Sequence, residues 1–187
     1  MIRKIGLILI FLSSLYLLTV YLGKRNIINE EAEKVQEFME AEKNDDEFVE
    51  EEDYFMILEI PKIKLKRGLY GLNSYLNNVN SNLEILSSSN MPDTQNSNLI
   101  IAGHSGNSDV SYFKNLYKLE NNDYCYIYYK GYKYIYQIVN IYNQKKTGTI
   151  SIYKDNDIKT ITLITCTLNN DSMQTVYIGN LVKIETY

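Results

Sequence analysis

The sequence predicts a mainly β fold, a closed β-barrel of about seven or eight strands with a few short helices, preceded by an N-terminal transmembrane helix. Beyond residue 54, short runs of β-branched and aromatic residues alternate with Gly, Asn, Ser and Asp. Two such runs, 124–129 and 133–142, flank Lys-Gly-Tyr, a pattern typical of a β-hairpin. At the N-terminus, residues 5–22 carry no charge and have about the minimum length for crossing a bilayer as a helix.

The uncharged run lies between Arg3 and Lys4 on one side and Lys24 and Arg25 on the other. It has no clear small-x-small cleavage site and is longer than the apolar core of an ordinary signal peptide. These features favour a retained anchor over a cleaved signal peptide or a buried core helix. The basic residues balance across the run, and the acidic stretch that follows favours a cytoplasmic N-terminus. We expect residues 1–25 to be a single-pass anchor in the cell membrane, with the folded domain extracytoplasmic.

The net charge is −4, from 19 basic and 23 acidic residues, and no basic stripe indicates nucleic acid as a partner. The acidic residues concentrate within 26–53, which we interpret as a partly helical juxtamembrane stalk. Val35, Phe38 and Met39 form a thin apolar stripe there at helical spacing. An alternative is that this stripe docks over the domain and covers its groove. Residues 54–187 are long enough for one folded domain with its own core.

The predicted strands follow one another with short polar connections. A first strand at 55–60 ends at Pro61, and Ile63 and Leu65 continue its alternation. Apart from the hairpin strands, the remaining predicted strands are 99–102, 159–166 and 175–183.

Two connecting segments have helical spacing instead. In 73–89 apolar residues recur every three or four positions, which predicts a short helix or helical turns. In 110–119 we expect a helical turn on which Phe113, Leu116 and Tyr117 pack inward.

Cys166 and His104 are the candidate catalytic residues. Cys166 ends a predicted strand, and His104, the only histidine of the chain, follows another strand directly after Gly103. A cysteine is a good nucleophile when a nearby imidazole removes its proton or stands beside the thiolate as a cation. Gly103 would allow close backbone approach or an unusual dihedral beside the ring. The alternative is that Cys166 is buried packing and His104 an ordinary loop residue.

The second cysteine, Cys125, lies in an aromatic strand-like run, where a free cysteine serves as a small buried hydrophobe. A disulfide with Cys166 is the alternative, in an oxidising compartment. One histidine and two distant cysteines do not make a zinc ligand set. We therefore predict no metal and no cofactor.

Three motifs together resemble the sortases, which are membrane-anchored cysteine transpeptidases of Gram-positive bacteria. They are LEIPKI at 58–63, AGH at 102–104 and TLITC at 162–166, of which TLxTC is the specific one. The resemblance covers about residues 54–187 and includes the order of elements and the N-terminal anchor. It implies a sortase-like barrel. The segment 143–158 is too short for the long helix of class B sortases, so the chain is similar to the compact members.

The resemblance also implies a reaction and its partners. Cys166 would attack the threonine carbonyl of an LPxTG-like sorting signal near the C-terminus of a secreted protein and form a thioester. An amine from a peptidoglycan precursor or a pilin lysine would then resolve it. His104 would protonate the leaving amine and deprotonate the incoming one. A cysteine hydrolase, with water as the acceptor, is an alternative.

The chain departs from the family at the third active-site residue, an arginine on the strand after the cysteine. Its arginines are Arg3, Arg25 and Arg67, and the family position holds Gln174. A glutamine amide donates hydrogen bonds to an oxyanion but supplies no charge, so we expect a slower enzyme. The alternatives are that Gln174 faces solvent, that Lys183 or Arg67 substitutes, or that the chain is a catalytically silent peptide-binding module.

The resemblance further predicts where the substrate binds. In the family the loop at 143–158 shapes the groove for the sorting signal, which makes Ile150, Ile152 and Tyr153 candidate contacts. Thr165, next to the nucleophile in the TLITC motif, is a further candidate.

Overall fold

The computed structural model describes residues 2–43, 53–153 and 157–187. In these ranges one long helix, α1 (Ile2–Lys43), precedes eight strands and two short 3-10 helices. The strands are β1 (Tyr54–Ile60), β2 (Leu65–Tyr70), β3 (Glu84–Ile85), β4 (Asn98–Ala102), β5 (Tyr124–Tyr129), β6 (Tyr132–Lys145), β7 (Thr160–Thr167) and β8 (Asn170–Thr186). The 3-10 helices are Pro61–Ile63 and Leu116–Lys118.

The eight strands form one sheet in the order β2-β1-β5-β6-β8-β7-β4-β3. The pairs are antiparallel except for β4 and β7, which are parallel. The side chain of Asn82, just before β3, joins the two edge strands. Its amide nitrogen donates to the Gly68 carbonyl at 2.8 Å, and its oxygen accepts from Nε of Arg67 at 2.7 Å. The result is a nearly closed eight-stranded barrel, which confirms the predicted fold class.

Alternate residues of the strands fill the barrel because successive side chains point to opposite faces. Met56, Leu58 and Ile60 of β1 all lie in the central core, whereas Ile57 packs on the outer face against α1. The turn between β5 and β6 has positive φ at Lys130 and Gly131, 51° and 72°. These values match a two-residue type I′ turn and confirm the predicted hairpin.

Two details of the connecting segments differ from expectation. Residues 73–89 contain hydrogen-bonded turns and the short strand β3, not a helix. Asparagine side chains compete with the helical pattern here: the Asn77 side chain both accepts from and donates to the Ile85 backbone, at 2.7 and 3.0 Å. In 110–119, Phe113 is buried as predicted but Tyr117 is 52% exposed, so its inward packing was predicted wrongly.

Helix α1 runs without a break through the predicted anchor and into the stalk. Its most apolar window has a mean hydropathy of 2.3 and no part of it is buried, so α1 is a candidate membrane span by length and composition. Beyond this window, Val35 and Phe38 are buried against Tyr54, Ile57 and other residues of β1, β2 and β5. The apolar stripe thus docks on the domain, on strands other than the one that carries Cys166.

Candidate active site

The parallel pairing of β4 and β7 brings the two candidate catalytic residues to the same edge of the sheet. Ala102 pairs with Ile164, and His104 and Cys166 each lie two residues beyond that pair. Neighbouring strands are about 4.8 Å apart. A histidine and a cysteine that are 62 positions apart in the chain therefore lie side by side at the strand ends.

Three hydrogen bonds tie the backbone around His104 to β7. The Gly103 amide donates to the Ile164 carbonyl at 3.1 Å, and the Thr165 hydroxyl donates to the Gly103 carbonyl at 2.7 Å. On the other side of the histidine, the Ser105 hydroxyl donates to the Cys166 carbonyl at 2.9 Å. The backbone on both sides of His104 is thus held by the strand that carries the thiol.

Gly103 is required by close packing. A Cβ at this position would overlap the side chains of Leu83 and Phe113. The Phe113 amide in turn donates to the His104 carbonyl at 3.0 Å. Of the two roles expected for Gly103, the structure shows close approach and not a positive φ.

Cys166 is partly exposed, and its sulfur has a cationic neighbour. Nζ of Lys146 donates to Sγ of Cys166 at 3.1 Å. The Lys146 backbone amide donates to the Ser172 carbonyl at 2.9 Å, which attaches this part of the loop to β8. Among the described residues, no hydrogen bond joins Sγ to the imidazole of His104. Lys146 was not predicted from the sequence, where its only signal was a pair of lysines in the loop expected to shape the groove.

Gln174 lies directly across from Cys166 in the antiparallel pair of β7 and β8. Directly opposed side chains lie on the same face of a sheet, with Cβ atoms about 5 Å apart. Gln174 is only 8% exposed, which contradicts the alternative that it faces solvent. The neutral amide therefore occupies the position beside Cys166 where the resemblance predicted an arginine.

The two basic residues considered as substitutes have other partners. Arg67 forms an ion pair with Glu31 of α1, and its guanidinium lies 4.1 Å from the ring centroid of Tyr112. Lys183 forms an ion pair with Glu185 at 2.6 Å. Among the described residues, neither cation forms a hydrogen bond with Cys166.

The predicted groove residues lie on the outside of the barrel. We name as the outer-face patch the buried side chains Ile100, Ile164, Val176 and Ile178 of β4, β7 and β8. Ile150 and Ile152 pack against this patch. Tyr153 is 66% exposed, with its ring centroid 5.1 Å from that of Tyr142.

The outer-face patch leads to the candidate catalytic residues. Alternate residues share a face, so Cys166 follows Ile164, and Gln174 precedes Val176, on that side of the sheet. On the neighbouring strand His104 follows Ile100 and Ala102 in the same way. The loop, the outer-face patch and Cys166 thus form one continuous surface.

A shallow pocket opens beside Cys166. The residues that line it are Ser105, Phe113, Lys114, Tyr117, Thr165, Cys166, Leu168, Thr175 and Tyr177. None of them belongs to α1, so the docked stripe does not cover this pocket. Tyr117 and Leu168 are both about half exposed, and they give the pocket an apolar rim.

The two cysteines are free and differ in accessibility. Cys125 is fully buried, and burial raises the pKa of its thiol to about 12. It is an unreactive packing residue, as the sequence predicted. Among the described residues, no group of three or more His, Cys, Asp or Glu side chains is arranged to hold a metal ion.

Comparison with known proteins identifies the family. A family model for the sortase domain matches residues 58–182. A search of curated proteins finds no match. The solved structure of a Clostridium perfringens sortase D5 transpeptidase is similar, with 26% sequence identity and a TM-score of 0.63, over 82% of this chain and 98% of that one.

Two further solved structures agree with this result. Sortase C-1 of Actinomyces oris shares 26% identity with a TM-score of 0.61, over 70% of this chain and 72% of that one. Streptococcus pneumoniae sortase C shares 20% identity, which shows the fold alone, with a TM-score of 0.62 over 72% of this chain and 68% of that one. Because the family model covers about two thirds of the sequence and the barrel brings the cysteine and histidine of its motifs together, the chain belongs to the sortase family.

Proposed function

We propose that this sortase is a cysteine transpeptidase that cleaves an LPxTG-like sorting signal and transfers the protein to an amine acceptor. The observation that supports this most directly is the parallel register of β4 and β7, which sets His104 beside Cys166. A thiol alone would be open to other interpretations. A partly exposed thiol with an imidazole held at the same strand ends has the two groups that acyl transfer needs.

The first half-reaction acylates the enzyme. The Cys166 thiolate attacks the threonine carbonyl carbon of the signal, a C–S bond forms, and the carbonyl electron pair moves to oxygen. When the tetrahedral intermediate collapses, the C–N bond breaks. The protonated His104 gives its proton to the leaving amine, and a thioester remains on Cys166.

The second half-reaction resolves the thioester. An amine from a peptidoglycan precursor or a pilin lysine attacks the same carbon, and neutral His104 takes up the proton that the amine loses. A new amide bond forms and the C–S bond breaks. The reaction returns the thiolate and the imidazolium, so one proton cycles through His104 in each turnover.

We assign the remaining roles to the neighbours of Cys166. Gln174 lies across from the nucleophile, where its amide would donate to the oxyanion of the intermediate. The sorting signal would lie along the outer-face patch, with Ile150, Ile152 and Tyr153 at its side and Thr165 beneath the scissile bond. A secreted protein carrying such a signal is the first substrate, and α1 would hold the enzyme in the cell membrane with the barrel outside the cytoplasm.

Mass spectrometry of the intact full-length chain in detergent tests this proposal. The protein is incubated with a small library of LPxTG-type peptides that vary at each signal position. The expected result is an adduct with the mass of the peptide portion before the scissile bond, present on the wild type and absent from Cys166→Ala. His104→Ala should bind the same peptide and form no adduct at neutral pH.

A catalytically silent peptide-binding module is the second candidate, favoured by the neutral residue at position 174. Peptide binding to the wild type without any adduct would support this module and reject the transpeptidase. Transfer is distinguished from hydrolysis by adding an amine such as triglycine to the reaction. Ligated product is expected, whereas hydrolysed peptide alone at saturating amine would identify a cysteine hydrolase.

A further inference from the structure

We propose that Lys146 is the catalytic cation of this active site, whose ammonium stabilises the Cys166 thiolate and then the oxyanion of the tetrahedral intermediate. The proposal rests on the proposed role of Cys166 as the nucleophile. It assigns the missing positive charge to a residue of the loop that follows β6, because the family position on β8 holds the neutral Gln174.

The geometry places the Lys146 ammonium beside the sulfur of Cys166. Nζ of Lys146 lies 3.1 Å from Sγ of Cys166, within hydrogen-bond distance for sulfur. Lys146 is the first residue after β6, and its amide is bonded to the Ser172 carbonyl of β8 at 2.9 Å. Since β8 lies between β6 and β7, the long lysine side chain spans the neighbouring strand to reach the thiol.

The charge of Lys146 is available to the sulfur. Among the described residues, Lys146 forms no ion pair, whereas Lys62, Arg67 and Lys183 each face a carboxylate. The other titratable groups near Cys166 are His104 at the adjacent strand end and Lys114, Tyr117 and Tyr177 of the pocket. No carboxylate of the described residues lines that pocket. On the Lys146 side, the carboxylate nearest to Ser172 in the chain is the exposed Asp171 of β8, and it forms no ion pair with Lys146.

A lysine at this position can stabilise both negatively charged species of the reaction, the thiolate and the oxyanion. Before attack the negative charge is on Sγ. After the C–S bond forms, it is on the carbonyl oxygen attached to the same carbon. These two atoms are within about 3 Å of each other, and a flexible ammonium with three donors follows the charge from one to the other. A glutamine amide at position 174 contributes a hydrogen bond but not this attraction.

The test is the rate of Cys166 alkylation by iodoacetamide, measured from pH 5 to pH 9 on the full-length chain in detergent. Cys125 is fully buried, so the folded protein reports Cys166 alone. At pH 7 we expect Lys146→Met to react roughly tenfold more slowly, as removal of a unit charge about 3 Å from a solvated thiolate predicts, with its profile displaced to higher pH. Lys146→Arg keeps the charge and should react within about twofold of wild type.

Lys145→Met is the matched control, because Lys145 is the adjacent exposed lysine and pairs with Met173, away from the thiol. In Lys145→Met, Cys166 should be alkylated at the wild-type rate. Equal rates and equal pH profiles for the wild type and Lys146→Met would overturn the proposal. Far-UV circular dichroism checks the fold, and Lys146→Gln replaces Lys146→Met if the latter does not fold.

Alkylation needs no sorting signal, so its outcome is independent of the proposed transpeptidase function. If no peptide acylates the enzyme, slower alkylation of Lys146→Met still establishes that the ammonium stabilises the Cys166 thiolate. If peptides do acylate it and alkylation does not respond to Lys146, the transpeptidase stands and the lysine has no catalytic role.

Discussion

The hydroxyl of Thr165 on β7 donates a 2.7 Å hydrogen bond to the carbonyl oxygen of Gly103, the residue before His104. Thr165 is buried, so water does not compete for this bond. The side chain next to Cys166 thus holds the backbone that carries His104. Cysteine and histidine are positioned as one unit.

Thr165→Val should weaken both stability and activity. The substitution preserves shape but leaves the Gly103 carbonyl without this donor, which costs about 1 to 3 kcal/mol in the free energy of unfolding. Urea unfolding measures that loss, and acyl-enzyme formation should slow because the His104 backbone is released. Thr165→Ser keeps the hydroxyl and should retain most of the wild-type stability and acylation rate. A Thr165→Val variant as active as wild type would show that the bond does not position His104.

Gly103→Ala should displace the histidine. The added Cβ overlaps Leu83 and Phe113, and overpacking of this kind costs about 1 to 3 kcal/mol. Thermal unfolding and acylation rate are the measurements. Gly106→Ala is the matched control in the same segment, since its Cβ would meet only the Ser111 hydroxyl at an ordinary 3.6 Å. If both alanine variants behave alike, the close packing at Gly103 is not what places His104.

Glu31→Gln should loosen α1 from the barrel. Glu31 forms an ion pair with Arg67, whose side chain is only 11% exposed, and accepts a 2.7 Å hydrogen bond from the Tyr54 hydroxyl. Removal of the carboxylate leaves a largely buried guanidinium short of a partner. Because Glu31 is itself partly exposed, we expect a loss of about 1 to 3 kcal/mol, below that of a fully buried pair.

Limited proteolysis and thermal unfolding of Glu31→Gln measure this loosening. Glu30→Gln removes the same charge at the adjacent exposed position of α1. It should leave the protease resistance and the unfolding temperature unchanged. Equal protease resistance in the two variants would count against the ion pair as the attachment of the helix.

The fold should lose stability at alkaline pH. Burial raises the pKa of Cys125 to about 12 and that of Tyr177 also to about 12, while in the unfolded chain both groups ionise near their ordinary values of 9.0 and 10.0. These are raised folded-state pKa values, so the stabilisation is fully present below pH 9 and is lost as the pH rises towards 12. Each such group contributes a slope of up to about 1.4 kcal/mol per pH unit.

Comparison of the wild type with Cys125→Ala by urea unfolding at pH 8 and pH 10.5 isolates the thiol. The wild type should lose about 1 to 2 kcal/mol more than Cys125→Ala between these two pH values. Identical losses would mean that the Cys125 thiol is not ionised preferentially in the unfolded chain.

Local patterns predicted much of this fold because strands and tight turns depend on neighbouring residues. The hairpin of β5 and β6 follows from two aromatic runs around Lys130 and Gly131, and Cys125 in that run is buried as its surroundings predict. In the segment 73–89, where a short helix or helical turns were predicted, turns form but a helix does not. Asn77 bonds to the backbone of Ile85 in β3, and Asn82 bonds to the Gly68 carbonyl of β2. Local spacing does not show such partners.

The sequence by itself determined the N-terminal apolar helix, most of the strands, and the choice of Cys166 and His104 as candidate catalytic residues, because periodicity and the TLITC motif are local properties. Only the tertiary structure decided that Lys146 contacts Cys166, that Gln174 lies buried across from it, and that Glu31 attaches α1 to Arg67. These contacts depend on the register of non-adjacent strands and on barrel closure. Both are set by packing of the whole core, which no short segment encodes.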